Sequence, residues 1–178
     1  MVRARWFVCY TKRMSLEWAK NHCGMSLTDQ QMEKVPHSTT ELGVHVTIKT
    51  VQAFGLLGTV LVGPIAAIAK KETRNMRGLQ HKMTRAGRGG LILGLVTGPL
   101  MTFLKVKDED EYKIWDRCYR LRNNRGQVRV DRGSIVGAVG GAGIGAATGS
   151  GALFGGLVGM SSGIIAMAIY NNAIVKKN

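Results

Sequence analysis

The side chains able to do acid–base, nucleophilic or metal chemistry are present in this 178-residue chain, but they are not arranged to do it. His22, His37, His45 and His81 are scattered, without the ligand spacing of a metal centre. Cys9, Cys23 and Cys118 lack the close pairing of a zinc site or a thioredoxin-like motif. They read as plain thiols, with one bridge, Cys23 to Cys118, left open for an oxidising compartment. The string Gly140-Gly141-Ala142-Gly143 has the look of a nucleotide-binding loop, but no strand precedes it and the glycines continue beyond it. No Asp, Glu, Arg or His stands in the middle of an apolar segment, where a pump or proton-coupled carrier would need one. The residues therefore predict no catalytic residue, no cofactor, no metal and no small-molecule substrate.

The spacing that does carry information belongs to the small residues. Gly133, Gly137, Gly141, Gly145 and Gly149 follow one another at steps of four, as do Gly151, Gly155, Gly159 and Gly163. Gly90, Gly94 and Gly98 repeat the step, and so do Gly55, Thr59, Gly63 and Ala67. Four residues bring an α-helix back to nearly the same face, so each series makes a groove into which another backbone can settle. In water each such glycine costs a helix about 1 kcal/mol relative to alanine. In lipid, where helices associate by van der Waals contact, close approach repays that cost. Low-complexity spans with no special partner are the plainer alternative, and they too are membrane spans.

These faces need long apolar helices to carry them, and the charges leave room for four. The chain holds 25 Lys and Arg against 11 Asp and Glu, a net charge of +14. That excess would suggest nucleic acid in a soluble protein. Here the charges avoid the apolar runs, and no basic stretch interleaves the aromatics of a stacking platform, so nucleic acid is not expected as a partner. The expected fold is an all-α membrane protein with spans near 44–69, 89–104, 133–148 and 152–170. The last two come from the 41 uncharged residues between Gly133 and Ala173, broken at Gly149-Ser150-Gly151, since one span needs about 20 residues. A basic amphipathic arm (1–40) precedes the transmembrane domain (41–173), and a basic tail (174–178) follows it. The arm resembles a mitochondrial transit peptide, or equally a retained segment lying on a membrane. Within it, Thr28 and Gln31 are spaced to cap a short helix before Pro36. Between spans two and three, Tyr112, Trp115, Cys118 and Tyr119 recur at helical spacing. They mark an amphipathic helix that either dips into the interface or packs on the protein's own arm.

The first inter-span stretch, 70–88, has seven Lys or Arg and one Glu, and the second, 105–132, nets only +3. The positive-inside bias puts the first stretch on the matrix or cytoplasmic side and both termini opposite.

Short spans with four-step glycine faces, a basic loop after span one and a tight turn between spans three and four resemble the mitochondrial Tim-type translocase channel family. That family includes an accessory membrane subunit of respiratory complex I. Its signature of Arg and Asp before span three, then Gly-Gly-x-x-x-Gly, is matched by Arg129 and Asp131 and by Gly140, Gly141 and Gly145, over about residues 44–173. The Arg-to-Asp spacing is shorter than the family's and the glycine pair comes later, as in a divergent member. The resemblance implies the mitochondrial inner membrane, with both termini in the intermembrane space. Spans poor in polar residues fit the complex I accessory branch, a non-catalytic structural subunit. Its partners would be other membrane subunits of a respiratory complex and membrane lipids, structural cardiolipin among them. The alternative is a component of an inner-membrane protein-import translocase channel.

Overall fold

Ser38 opens a helix that runs to Ile68, and a second helix returns beside it from Met76 to Val106. In this computed structural model, residues 28–33 and 38–175 are described, and every regular element among them is helical. In chain order these are α1 (Asp29–Glu33), α2 (Ser38–Ile68), α3 (Met76–Val106), α4 (Glu111–Asn123), α5 (Arg125–Ala147) and α6 (Ala152–Tyr170).

Local chemistry fixes most boundaries. At α1 the Gln31 side chain accepts from Thr28 N–H at 3.0 Å, and Thr28 Oγ1 accepts from Gln31 N–H at 3.3 Å, the reciprocal box that the spacing predicts. The last carbonyls of α2 are met by the Thr73 hydroxyl, which bonds Ala67 O at 2.8 Å, and by Arg74 Nε, which bonds Ile68 O at 2.7 Å. Asn75, Asp110 and Asn124 then cap α3, α4 and α5 with their side-chain oxygens. Between α5 and α6, Gly149 and Gly151 take φ of 72° and 92°, left-handed values that a side chain would resist. A wider turn covers Leu57–Val62, just ahead of Pro64, where Gly63 N–H bonds Gly58 O; proline, lacking an N–H, is a common cause of such irregularity.

Three helical segments, Ser38–Ile68, Met76–Val106 and Ala152–Ile174, are long and apolar enough to cross a membrane. At 31 residues, α2 and α3 each reach about 46 Å at 1.5 Å per residue, longer than a hydrocarbon core. The fourth expected span, 133–148, falls in α5 up to its C-cap Thr148, and the first turns of that helix carry Arg125, Arg129, Asp131 and Arg132. Both α3 and α5 start well before the expected 89 and 133. Charge marks where a helix leaves lipid, whereas backbone hydrogen bonding continues through Lys and Arg, which are good helix formers. The basic stretch expected as a loop from 70 to 88 is thus mostly the first turns of α3. Of the arm, 1–27 and 34–37 lie outside the described residues, as do 176–178 of the tail.

The helices pair as two antiparallel hairpins, α2 with α3 and α5 with α6. A Cβ on Gly94 would stand 2.5 Å from Val51 Cα, one on Gly98 2.5 Å from Thr47 Cα, and one on Gly63 2.5 Å from Met83 Cα. Gly90 lies against the Phe54 carbonyl and Gly58 against that of Ala86. Backbones this close leave room for direct bonds, and Thr50 Oγ1 reaches Gly94 O across the pair at 2.8 Å.

The hairpins meet where α6 lies over α2 and α3. Leu157, 2 % exposed, fills the space left by Gly87, and the end of Met160 fills the space left by Gly55. Thr59, fully buried, sits at the same junction with its hydroxyl unpartnered among the described residues. Bulky apolar side chains are left on the outside, with Val96, Phe103, Val136 and Val139 each more than 60 % exposed. An inward glycine and an outward hydrophobe is the reverse of a water-soluble helix and suits a lipid solvent.

Candidate functional site

In the second hairpin the glycines come together face to face. A Cβ on Gly137 would collide with Gly159 O, one on Gly141 with Gly155 O, and one on Gly163 with Gly133 O. At the turn, a Cβ on Gly145 would stand 2.5 Å from the Gly151 carbonyl. The expected packing glycines thus divide. Gly55, Gly63, Gly90, Gly94, Gly98, Gly133, Gly137, Gly141, Gly145, Gly155, Gly159 and Gly163 each meet a neighbouring helix or the turn. Gly151 meets nothing in its Cβ direction and serves the turn through its positive φ. Gly140, expected in the family motif, also faces open space.

The charged pair of that motif does not act as a unit. Arg129 turns toward the end of α6, where its Nε donates to Asn171 Oδ1 at 2.7 Å and its guanidinium lies 5.9 Å from the Tyr170 ring centre. Asn171 in turn donates to Gly126 O at 2.9 Å, closing the open end of the second hairpin. Asp131 points to the first hairpin. Its carboxylate accepts from Lys49 Nζ at 2.5 Å and from Gln52 Nε2 at 2.9 Å. Gln52 Nε2 donates also to Ser134 Oγ at 2.8 Å, and the Ser134 hydroxyl donates to Asp131 O at 2.7 Å. Gln52, Asp131 and Ser134 are all buried, whereas the Lys49 side chain stays about a quarter exposed. The result is a polar seam joining α2 to α5, with the charge of Asp131 met on the spot. Asp131 stands out in the sequence as half of the Arg–Asp motif and Ser134 as a hydroxyl suited to bond backbone or a neighbouring helix, whereas Gln52 does not stand out. The clue is a Gln one turn from a Lys where α2 enters its apolar run.

A second charged contact holds α4 down. Arg122 Nε donates to Glu41 Oε1 at 2.7 Å, and its other nitrogens reach Glu41 Oε2 and the Met32 carbonyl of α1. Beside it, Cys118 is 1 % exposed and donates from Sγ to Ser38 O at 3.2 Å. Burial, with the nearby Glu41 carboxylate, pushes its thiol up to about 12. Its suggested bridge partner Cys23 lies outside the described residues; Cys118 itself is a free thiol. Ile114 and Cys118 turn α4 inward onto Leu42, while Tyr112, Trp115 and Tyr119 stack along another face with ring centres 5.9 and 5.6 Å apart.

Among the described residues no three of His, Cys, Asp and Glu gather as a metal site would require. Glycine contacts hold the helices of each hairpin together, and apolar side chains seated on glycines together with the polar seam join the hairpins.

Residues 18–170 match the family described as protein of unknown function (DUF1757). The chain belongs to that family. The match takes in both hairpins, the polar seam and α4, so the elements described above form the family's domain. Among curated proteins, none matches the chain.

Proposed function

We propose that the protein is a non-catalytic membrane scaffold, an accessory subunit that seats other membrane helices and lipid against its outer faces. The observation that carries this reading is the division of side chains. Polar groups of the helical pairs are used internally, at Lys49, Gln52, Asp131 and Ser134, while apolar ones such as Ile92, Leu95, Val96 and Phe103 are turned outward. Such a body fits lipid and neighbouring helices better than it fits a conduit. Four crossings are part of the proposal. α5 runs antiparallel to α6 from Gly133 to Gly145, so a bilayer crossed by α6 takes α5 with it, and the arginines at its start stay outside. With the basic start of α3 on the negative side, both termini face the opposite compartment.

The resemblance to the Tim-type family carries the reading further, to the mitochondrial inner membrane and to a place beside the membrane subunits of respiratory complex I. Comigration of the chain with a respiratory complex on a native gel supports this, and migration only as a free small oligomer refutes it. A second reading, a component of a protein-import translocase, draws on the polar seam. If the hairpins parted, Lys49, Gln52, Asp131 and Ser134 would line the gap. Crosslinks from the seam to an arrested precursor would favour it.

A further inference from the structure

Where α3 leaves its apolar run, Lys105, Glu109, Lys113, Asp116, Arg117 and Arg120 ring a cavity of about 260 Å³ over Leu42, Val106 and Ile114. Two carboxylates hold three of its cations in place. Glu109 is shared between Lys105 at 3.2 Å and Lys113 at 3.4 Å, and Asp116 bonds Arg120 at 2.8 Å. Hydrogen bonding from Lys105, with its charge and that of Lys113, holds the Glu109 carboxyl below its ordinary range, so it stays ionised as the bridge between them. Arg117 has no carboxylate partner among the described residues. Four cations against two anions leave the rim with a net charge of +2.

The cavity also stands at a particular depth. Phe103 and Leu104 are exposed and apolar, and Lys105 is the first charge after them. The stacked Tyr112, Trp115 and Tyr119 share α4 with the rim, an aromatic set of the kind found at headgroup level. We propose that this cavity binds a phosphate group bearing an apolar tail, the headgroup of an anionic phospholipid. The phosphate meets Arg117, Lys113 and Lys105, and the tail lies along the outer face of α3 at Phe103 and Leu104. The site depends on α3 being a membrane span and not on which complex the chain joins.

Native mass spectrometry of the full chain in neutral detergent tests this, with phosphatidylglycerol and phosphatidylcholine offered at equal concentration. The intact chain should retain phosphatidylglycerol selectively, and Lys113→Gln with Arg117→Gln should reduce that retention roughly 10-fold or more. The charge-keeping pair Lys113→Arg with Arg117→Lys should restore it, and Lys70→Gln with Lys71→Gln, at the far end of α2, should leave it unchanged. Equal retention of the two lipids, undiminished selectivity in the Gln pair, or its loss in the charge-keeping pair overturns the site. Displacement by millimolar inorganic phosphate would make the ligand a free anion and overturn the lipid assignment. A chain that stays monodisperse without detergent would instead remove the span on which the site depends.

Discussion

Lys49 of α2 and Asp131 of α5 meet at 2.5 Å, and among the described residues theirs is the ion pair that joins the two hairpins. Asp131 is buried, so removing its partner leaves a charge stranded between helices. Lys49→Met should lower stability by about 2 kcal/mol, below the roughly 3–5 kcal/mol of fully buried pairs because Lys49 is partly exposed. The double variant Lys49→Met with Asp131→Leu should recover part of that loss. Thermal unfolding in detergent, run as a double-mutant cycle, reads the coupling; purely additive losses would show that the pair does not act as a pair.

Gly141 and Gly140 are neighbours with opposite surroundings. A side chain on Gly141 meets the Gly155 carbonyl, while one on Gly140 meets open space. Gly141→Leu should part α5 from α6 and cost about 1–3 kcal/mol. Gly140→Leu should be neutral or mildly stabilising, within about 1 kcal/mol, because it relieves a helical glycine. Neither should stop insertion, since leucine favours lipid. Midpoints of thermal unfolding and resistance to carbonate extraction check the two halves.

Cys118 makes alkaline stability depend on one thiol. Its folded pKa, about 12, lies above the ordinary value of 9.0, so between those pH values the unfolded chain has lost a proton that the folded chain keeps. Stability should therefore be complete below about pH 9 and fall as pH rises toward 12. Cys118→Ala should flatten that slope in unfolding curves taken across the same range.

Arg122 and Glu41 form the clamp above that thiol. Glu41→Gln should loosen α4 and let a maleimide reach Cys118 at least about tenfold faster, as a fall of about 1.4 kcal/mol in the free energy of opening requires. Because losing the carboxylate also lowers the thiol pKa, amide exchange along α4 is measured beside the labelling rate, and unchanged exchange would place the clamp elsewhere.

The sequence made some of this architecture legible and hid the rest for physical reasons. The four-step glycines announce which faces approach, and the structure seats Gly137 on Gly159 and Gly141 on Gly155. The Thr28 and Gln31 box and the Gly149–Gly151 turn are local, so three or four residues suffice to read them. The starts of α3 at Met76 and α5 at Arg125 were hidden because hydropathy reports solvent, not hydrogen bonding. The seam joining Gln52 to Asp131 and Ser134, about eighty residues away, leaves no local trace. Arg129 and Asp131 sit two positions apart, yet they serve different helices, which no spacing rule reveals.

The scaffold reading stands or falls on what the chain is bound to in its membrane. Mass spectrometry of the native assembly purified through this chain from a gently solubilised membrane tests it most directly. Membrane subunits of a respiratory complex should be recovered with it at stoichiometric abundance. Recovery of import-translocase subunits in their place, or of the chain alone, would contradict that reading.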